Sequence, residues 1–266
     1  VDQDGTVEQV LPGGGMGGAV RVGATVRRTA GPWRPTVQRL LAHLRARGVT
    51  EVPEPLGVDA AGRDVTSYLP GTVPQYPLPS WVWTDDVLVE AARLLRRVHD
   101  ASVDFDRGGA VWRLPAHEPA EVVCHDDAAP YNLVLRDGHV TGLIDWDTAA
   151  PGPRVWDLAY LAYRLVPLGP AAADPAASGS AASDAAASGA AAIPLPERAR
   201  RLRLLCGAYD GPAPAEVLAV VPERLRELAA FTRDRAQGDA ELLAHATAYT
   251  ADARWVAEVS RALAAP

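Results

Sequence analysis

His125-Asp126-Asp127-Ala128-Ala129-Pro130-Tyr131-Asn132 opens a segment that runs through Leu133-Val134-Leu135 and Val140 to Ile144 into Asp145-Trp146-Asp147. Between the two apolar runs stands Asp137-Gly138, a two-residue hairpin signal. The spacing predicts a strand, a tight turn and a return strand. Asn132 lies just before the first strand and Asp145 just after the second. Folding at Asp137-Gly138 brings both to the open end of the hairpin, offset by about two residues. At roughly 3.3 Å rise per residue that offset lets both side chains reach one cation.

An Asp, an Asn five positions on and a second Asp beyond a hairpin are the parts that phosphoryl transfer from a Mg-nucleotide needs. One carboxylate, Asp127, orients the attacking hydroxyl. An amide oxygen, Asn132, and a second carboxylate, Asp145, hold the metal on the phosphates. The H-x-D-x-x-x-x-N spacing is that of His125, Asp127 and Asn132. Oxygen-only ligands suit Mg²⁺.

The chain has 266 residues, 48% of them apolar, enough for one large domain or two lobes. A net charge of −7 and a pI near 5.4 argue against nucleic acid or an anionic membrane surface as partner. Cys124 and Cys206 lack metal-ligand spacing, so a reducing compartment is expected. No signal peptide or run long enough for a membrane span is visible, which points to a cytoplasmic protein. All 26 basic residues are Arg. A Walker-A loop and a pyridoxal Schiff base both need lysine, so neither can be built.

Residues 6–30 read as strands. Val7 to Leu11 leads into a glycine-rich turn carrying Gly13, Gly14, Gly15, Gly17 and Gly18, and strands follow at Ala19 to Val22 and Ala24 to Arg28. Such a turn lets backbone N–H groups approach phosphate oxygens. Pro35 to Arg47 has helical spacing, with Gly48 at its end, and residues 51–69 read as another hairpin. The prolines from Pro70 to Pro79 mark a stiff linker. They divide an N-lobe at 1–77 from a C-lobe at 78–266. Thr84 caps a helix reaching His99, with Leu88, Ala91, Leu95 and Val98 as its buried stripe. Asp157 to Leu165 is helical, and three more helices follow near 196–209, 214–236 and 239–263. Residues 170–192 are almost pure Ala, Ser, Gly, Pro and Asp and are expected to be a disordered insertion.

These residues resemble the aminoglycoside phosphotransferase family, a branch of the protein-kinase-like fold that includes choline and homoserine kinases. The resemblance runs from about residue 7 to 165. It implies an α+β, bilobal fold, with a small antiparallel sheet in an N-lobe that binds nucleotide and a mainly helical C-lobe that carries catalysis and substrate binding. It also implies a small-molecule kinase that moves the γ-phosphoryl of ATP or GTP to a hydroxyl of an antibiotic, sugar or amino alcohol. Asp127 matches the family's catalytic Asp; Asn132 and Asp145 match its metal ligands. Ser67-Tyr68-Leu69 looks like the hinge that meets the adenine. Ile144-Asp145-Trp146-Asp147, then Pro151-Gly152 and Asp157-Leu158-Ala159, is similar to the second signature. Asp157 there implies a structural carboxylate, and His125 a hydrogen-bonded loop histidine.

Several positions depart from the family. The strand-borne Lys on the phosphates must be Arg here. Val26 and Arg28 share a strand face, which favours Arg28, with Arg27 as the alternative; Val26 then lies near the adenine. The following helix has no carboxylate at 35–47, leaving Gln38 or His43 to orient Arg28. Asp126 stands where the loop commonly has Gly. These departures motivate a second reading, a nucleotide-binding pseudokinase of low activity. A third is a metal-dependent phosphohydrolase, from the doublets His99-Asp100 and His125-Asp126.

The insertion gives the first prediction. Deleting residues 172–190 is expected to leave the melting temperature unchanged, because the segment has no large apolar side chain and closure entropy varies slowly with loop length. A large fall would show that it packs.

Overall fold

The structure, a computed structural model, describes residues 8–11, 18–170 and 193–264. Gly13, Gly14, Gly15 and Gly17 of the glycine-rich turn, and all but the first residue of the insertion, lie outside them. The chain divides into two compact units. The first comprises Val1–Val73, Arg97–Asp127 and Tyr131–Pro153; the second comprises Pro74–Arg96, Ala128–Pro130 and Arg154–Pro266. The break at Val73 falls within the proline linker. Residues 125–127 and 131–147 cluster with the N-terminal strands, and Ala128–Pro130 with residues 154 onward.

The first unit is built on an antiparallel sheet of β1 (Glu8–Val10), β2 (Ala19–Val22), β3 (Thr25–Arg28), β5 (Asp64–Ser67) and β4 (Pro55–Val58), in that order. Gly23, at φ 59°, makes the turn between β2 and β3, where a left-handed backbone is needed. Helix α1 (Arg34–Ala46) follows, with Pro35 in its first turn and Gly48 (φ 88°) past its end, the arrangement its sequence called for. Its face of Val37, Leu40, Leu41 and Leu44 is buried, against β4 and the 3₁₀ turn Trp146–Thr148.

Two small ribbons complete this unit. β6 (Val122–Cys124) pairs with β9 (Ala150–Gly152), a ribbon without the polar–apolar alternation that would mark it in sequence. β7 (Leu133–Arg136) pairs with β8 (His139–Leu143) across Asp137-Gly138, both at positive φ (54° and 84°) as a type I′ turn requires. The hairpin is tied down on both sides. Thr72 exchanges backbone hydrogen bonds of 2.7 and 2.9 Å with Leu135, and Leu143 N–H donates to Glu51 O at 2.9 Å. Gly142 and Gly71 permit this approach: a Cβ on Gly142 would lie 2.7 Å from Leu69, and one on Gly71 2.5 Å from Val134.

Helix α2 (Asp85–Ser102) contributes residues to both units. Leu88, Ala91, Leu95 and Val98 are buried as expected, and Thr84 Oγ1 accepts from Val87 N–H at 3.4 Å. In the second unit follow α3 (Arg154–Leu165), α4 (Leu195–Tyr209), α5 (Pro214–Ala236) and α6 (Ala240–Leu263). α5 packs along α6 and onto α3. The last carbonyl of α3 is met by a cation: Arg201 Nη2 donates to Leu165 O at 3.0 Å. Asp252 of α6, 1% exposed, accepts from the Tyr163 hydroxyl at 2.7 Å. Cys124 and Cys206 are free and buried, and burial pushes the Cys206 thiol up to about 12. Among the described residues no helix is long and apolar enough to cross a membrane.

Candidate active site

The chain leaves β6 at Cys124 and enters the loop at His125. Asp126 takes φ 62°, the left-handed region that Asp tolerates better than most residues. That backbone is the physical reason a glycine suits this position, and Asp126 fills it while buried. His125 is fully buried with both ring nitrogens engaged. Nε2 donates to Ile144 O at 2.9 Å, and Nδ1 accepts from Asp127 N–H at 3.2 Å. The ring also stands edge-on to Trp146 at 4.7 Å. So the histidine pins the loop to the end of β8, and no ring nitrogen is left for a metal or for base chemistry.

Asp127 and Asn132 meet directly. Asn132 Nδ2 donates to Asp127 Oδ2 at 2.9 Å and to Asp127 O at 2.8 Å. Two acceptors on one side fix the amide, because only its nitrogen can donate. Its carbonyl oxygen is thereby directed to the other side, as a metal ligand requires. The second carboxylate oxygen, Asp127 Oδ1, accepts from the Tyr131 hydroxyl at 2.6 Å.

Asp145 comes closer to Asn132 than the sequence suggested. Ile144 N–H donates to Asn132 O at 2.9 Å, so Asn132 faces Ile144 and the offset to Asp145 is one residue, not two. A register shift between Val134 and Leu135 absorbs the extra residue. Asp145 itself takes φ 66°. Its Oδ1 accepts from Arg28 Nη1 at 2.5 Å.

That contact answers the question of what orients Arg28, and corrects the expectation that Gln38 or His43 does so. Gln38 Nε2 donates instead to Asp64 Oδ1 at 2.6 Å and Val65 O at 3.1 Å, and His43 Nε2 lies 2.9 Å from Ala101 O. Arg27, on the opposite face of β3, points to Asp59 at 3.7 Å. Arg28 is held charged: burial alone would lower its pKa, but the Coulomb attraction and hydrogen bond of Asp145 outweigh it and raise it. Burial alone would raise the pKa of Asp145; the charge and hydrogen bond of Arg28 lower it instead.

A second cation supports the turn after Asp145. Arg34, at the first residue of α1, donates to Asp147 Oδ2 at 2.7 Å and to Asp64 Oδ2 at 3.1 Å, and all three are buried. Arg113 adds a longer contact to Asp147 at 3.6 Å. Burial pushes the Asp147 carboxyl up, and the charge of Asp145 adds to that against the pull of Arg34. Where the related pattern puts a carboxylate on this helix, α1 carries a cation and the carboxylates come from β5 and from the turn after β8. A lone guanidinium at a helix N-terminus opposes the macrodipole. That conflict was the one sequence signal for Arg34; Asp64 and Tyr131 gave none.

The remaining expected residues lie along β3, β5 and the segment after it. Val26 pairs with Thr66, Thr25 with Ser67, and Arg28 with Asp64. Ser67 Oγ accepts from Glu54 N–H at 2.8 Å. Tyr68 N–H donates to Ala24 O at 2.8 Å, and Arg21 stacks 3.8 Å over its ring. Leu69 reaches the hairpin at Gly142. Gly18 sits just before β2. Asp157 is fully buried on α3.

The fold is that of the bilobal protein-kinase-like proteins. Residues 109–191 match the phosphotransferase enzyme family. The trifolitoxin immunity protein of Rhizobium leguminosarum bv. trifolii is 37% identical over 151 residues, covering 54% of this chain and 56% of that protein. The chain thus matches about half the length of this relative. A choline/ethanolamine kinase family protein from Mesorhizobium loti superposes with a TM-score of 0.63 at 18% identity, over 99% of this chain and 93% of that one. The macrolide 2'-phosphotransferase of Brachybacterium faecium does so at 0.56 and 16%, over 92% and 91%. The likeness to the aminoglycoside phosphotransferase family holds at the level of fold and of residues 109–191.

Arg34 gives a stability prediction. Arg34→Ala leaves Asp64 and Asp147 buried without their shared cation and is expected to cost about 3–5 kcal/mol in denaturant unfolding, the range for breaking a buried ion pair. Arg113→Ala, which removes only the longer contact, should cost far less. Equal effects would show that Arg34 is not the linking cation.

Proposed function

We propose that this chain transfers the γ-phosphoryl of a Mg-nucleotide to a hydroxyl of a small molecule. The observation that carries the reading is the joining of four expected residues in one unit: Asp127 with Asn132, and Arg28 with Asp145, at the open end of one hairpin. In this reading Asp127 accepts the proton of the attacking hydroxyl as its oxygen bonds to phosphorus. The bond from phosphorus to the bridging oxygen breaks, and the nucleoside diphosphate leaves.

Asn132 and Asp145 fit a hard cation, since both offer oxygen and the amide nitrogen is already committed to Asp127. They would hold Mg²⁺, which neutralises charge on the donor's phosphates. Arg28 contributes a cation on the phosphate side; a guanidinium keeps its charge in any surroundings. Ser67, Tyr68 and Leu69, with Val26, would meet the base, and the glycine turn from Gly13 to Gly18 the phosphates. ATP and GTP both suit such a site. The N-lobe at 1–77 and C-lobe at 78–266 remain the proposed division of labour. The immunity protein's name supports a protective role, with a toxin or antibiotic as acceptor. Choline/ethanolamine and macrolide neighbours support an amino alcohol or a sugar hydroxyl equally.

A second reading has an observation of its own. Arg28 already occupies an oxygen of Asp145, as in a chain that binds nucleotide but turns it over poorly. Turnover separates the two. Asp127→Ala should lower transfer by at least about 10²-fold, the usual contribution of a positioned base, while nucleotide affinity stays near wild type. Phosphate transfer to a panel of hydroxylated acceptors measures it. Turnover that survives the substitution removes Asp127 as the base, and no turnover in the unaltered protein favours the pseudokinase.

A further inference from the structure

We propose that Tyr131 gates the acceptor side of this site: its hydroxyl holds the place on Asp127 that an acceptor hydroxyl takes, and so keeps water off the base. The inference rests on the reading of Asp127 as the base. Asp127 has two side-chain oxygens. Oδ2 accepts from Asn132 Nδ2 at 2.9 Å, and Oδ1 accepts from the Tyr131 hydroxyl at 2.6 Å. A phenol O–H on a carboxylate at that distance is a charge-assisted bond, stronger than a neutral one. It has the chemistry of the group the site is built to receive: an O–H donated to the base.

The position of the phenol is set by the chain. Tyr131 lies in the 3₁₀ turn Pro130–Asn132, where the ring of Pro130 fixes φ, and Asn132 at the end of the turn is itself tied to Asp127. Tyr131 is therefore held from both sides at the residue it covers. It acts through Asp127 and is a positioning residue.

The consequence concerns water. A water donating to Oδ1 could attack the γ-phosphorus: its oxygen bonds to phosphorus, the bridging P–O bond breaks, and its proton passes to Asp127. The products are inorganic phosphate and nucleoside diphosphate, with the donor wasted. A water has only its own hydrogen bonds with which to displace the phenol. A true acceptor has binding energy from the rest of its structure, which can be used at the reacting centre. The gate thus admits acceptors and excludes solvent.

The test is acceptor-free phosphate release from Mg-ATP by the full chain, compared with Tyr131→Phe. Removal of the hydroxyl should raise the hydrolysis rate several-fold and leave the nucleotide dissociation constant and melting temperature unchanged. Tyr131→Leu should raise it as well, which separates the hydroxyl's role from that of the ring. A rate equal to or below wild type in both variants overturns the gate. So does a phosphoryl group found on Tyr131 by mass spectrometry, since the phenol is then an acceptor. If the unaltered protein does not bind Mg-ATP at all, the reading of the whole site fails, and the gate with it.

Discussion

The bond between Arg28 and Asp145 is the interaction on which the site depends. It joins the end of β3 to the residue just past β8, more than a hundred positions later in the chain. Each partner keeps the other ionised against the burial that disfavours both charges. Without it, two charges would be left partly buried and unpaired, which costs more than a lost surface pair. It also sets a condition on function. A cation bound at Asp145 must share the carboxylate with Arg28 or take its place.

Around this pair the charges are arranged in the reverse of the expected order. In the family that the sequence resembles, a cation on the strand answers a carboxylate on the following helix. Here no residue of α1 from Pro35 to Ala46 is acidic, and the helix instead begins with Arg34, which binds Asp147 and Asp64. The result still ties α1, β5 and the turn after β8 together. Strand, helix and hairpin are thus coupled through carboxylates that sit on the sheet and the turn. A chain whose Lys and Arg positions are all Arg suits this plan, because a guanidinium can bridge two carboxylates through different nitrogens.

Much of this was legible in the sequence. Asp137-Gly138 fixed the hairpin because both positions need positive φ. The 3.6-residue spacing of Leu88, Ala91, Leu95 and Val98 gave α2, and the C-terminal helices fell within a residue or two of their expected ends. Asn132 and Asp145 were placed together from the hairpin alone. What was not legible depended on tertiary geometry. The register shift beside Leu135 leaves no mark on local pattern, so the offset came out one residue too long. β6 and β9 are three-residue strands buried throughout, with no alternation to read. Tyr131 reads as a turn residue until the turn is seen to aim it at Asp127. Arg28 was favoured over Arg27 by strand alternation, but its partner could not be guessed from a helix that lacks one.

The central claim is that Asp145 is held ready by Arg28 to receive a metal with the nucleotide. Calorimetric titration of a non-hydrolysable ATP analogue, with and without Mg²⁺, tests it most directly in the wild-type chain and in Asp145→Asn. The account predicts that Mg²⁺ tightens binding to the wild type by at least about tenfold, or ~1.4 kcal/mol, and that the variant loses this dependence. Identical metal dependence in the two proteins would contradict it.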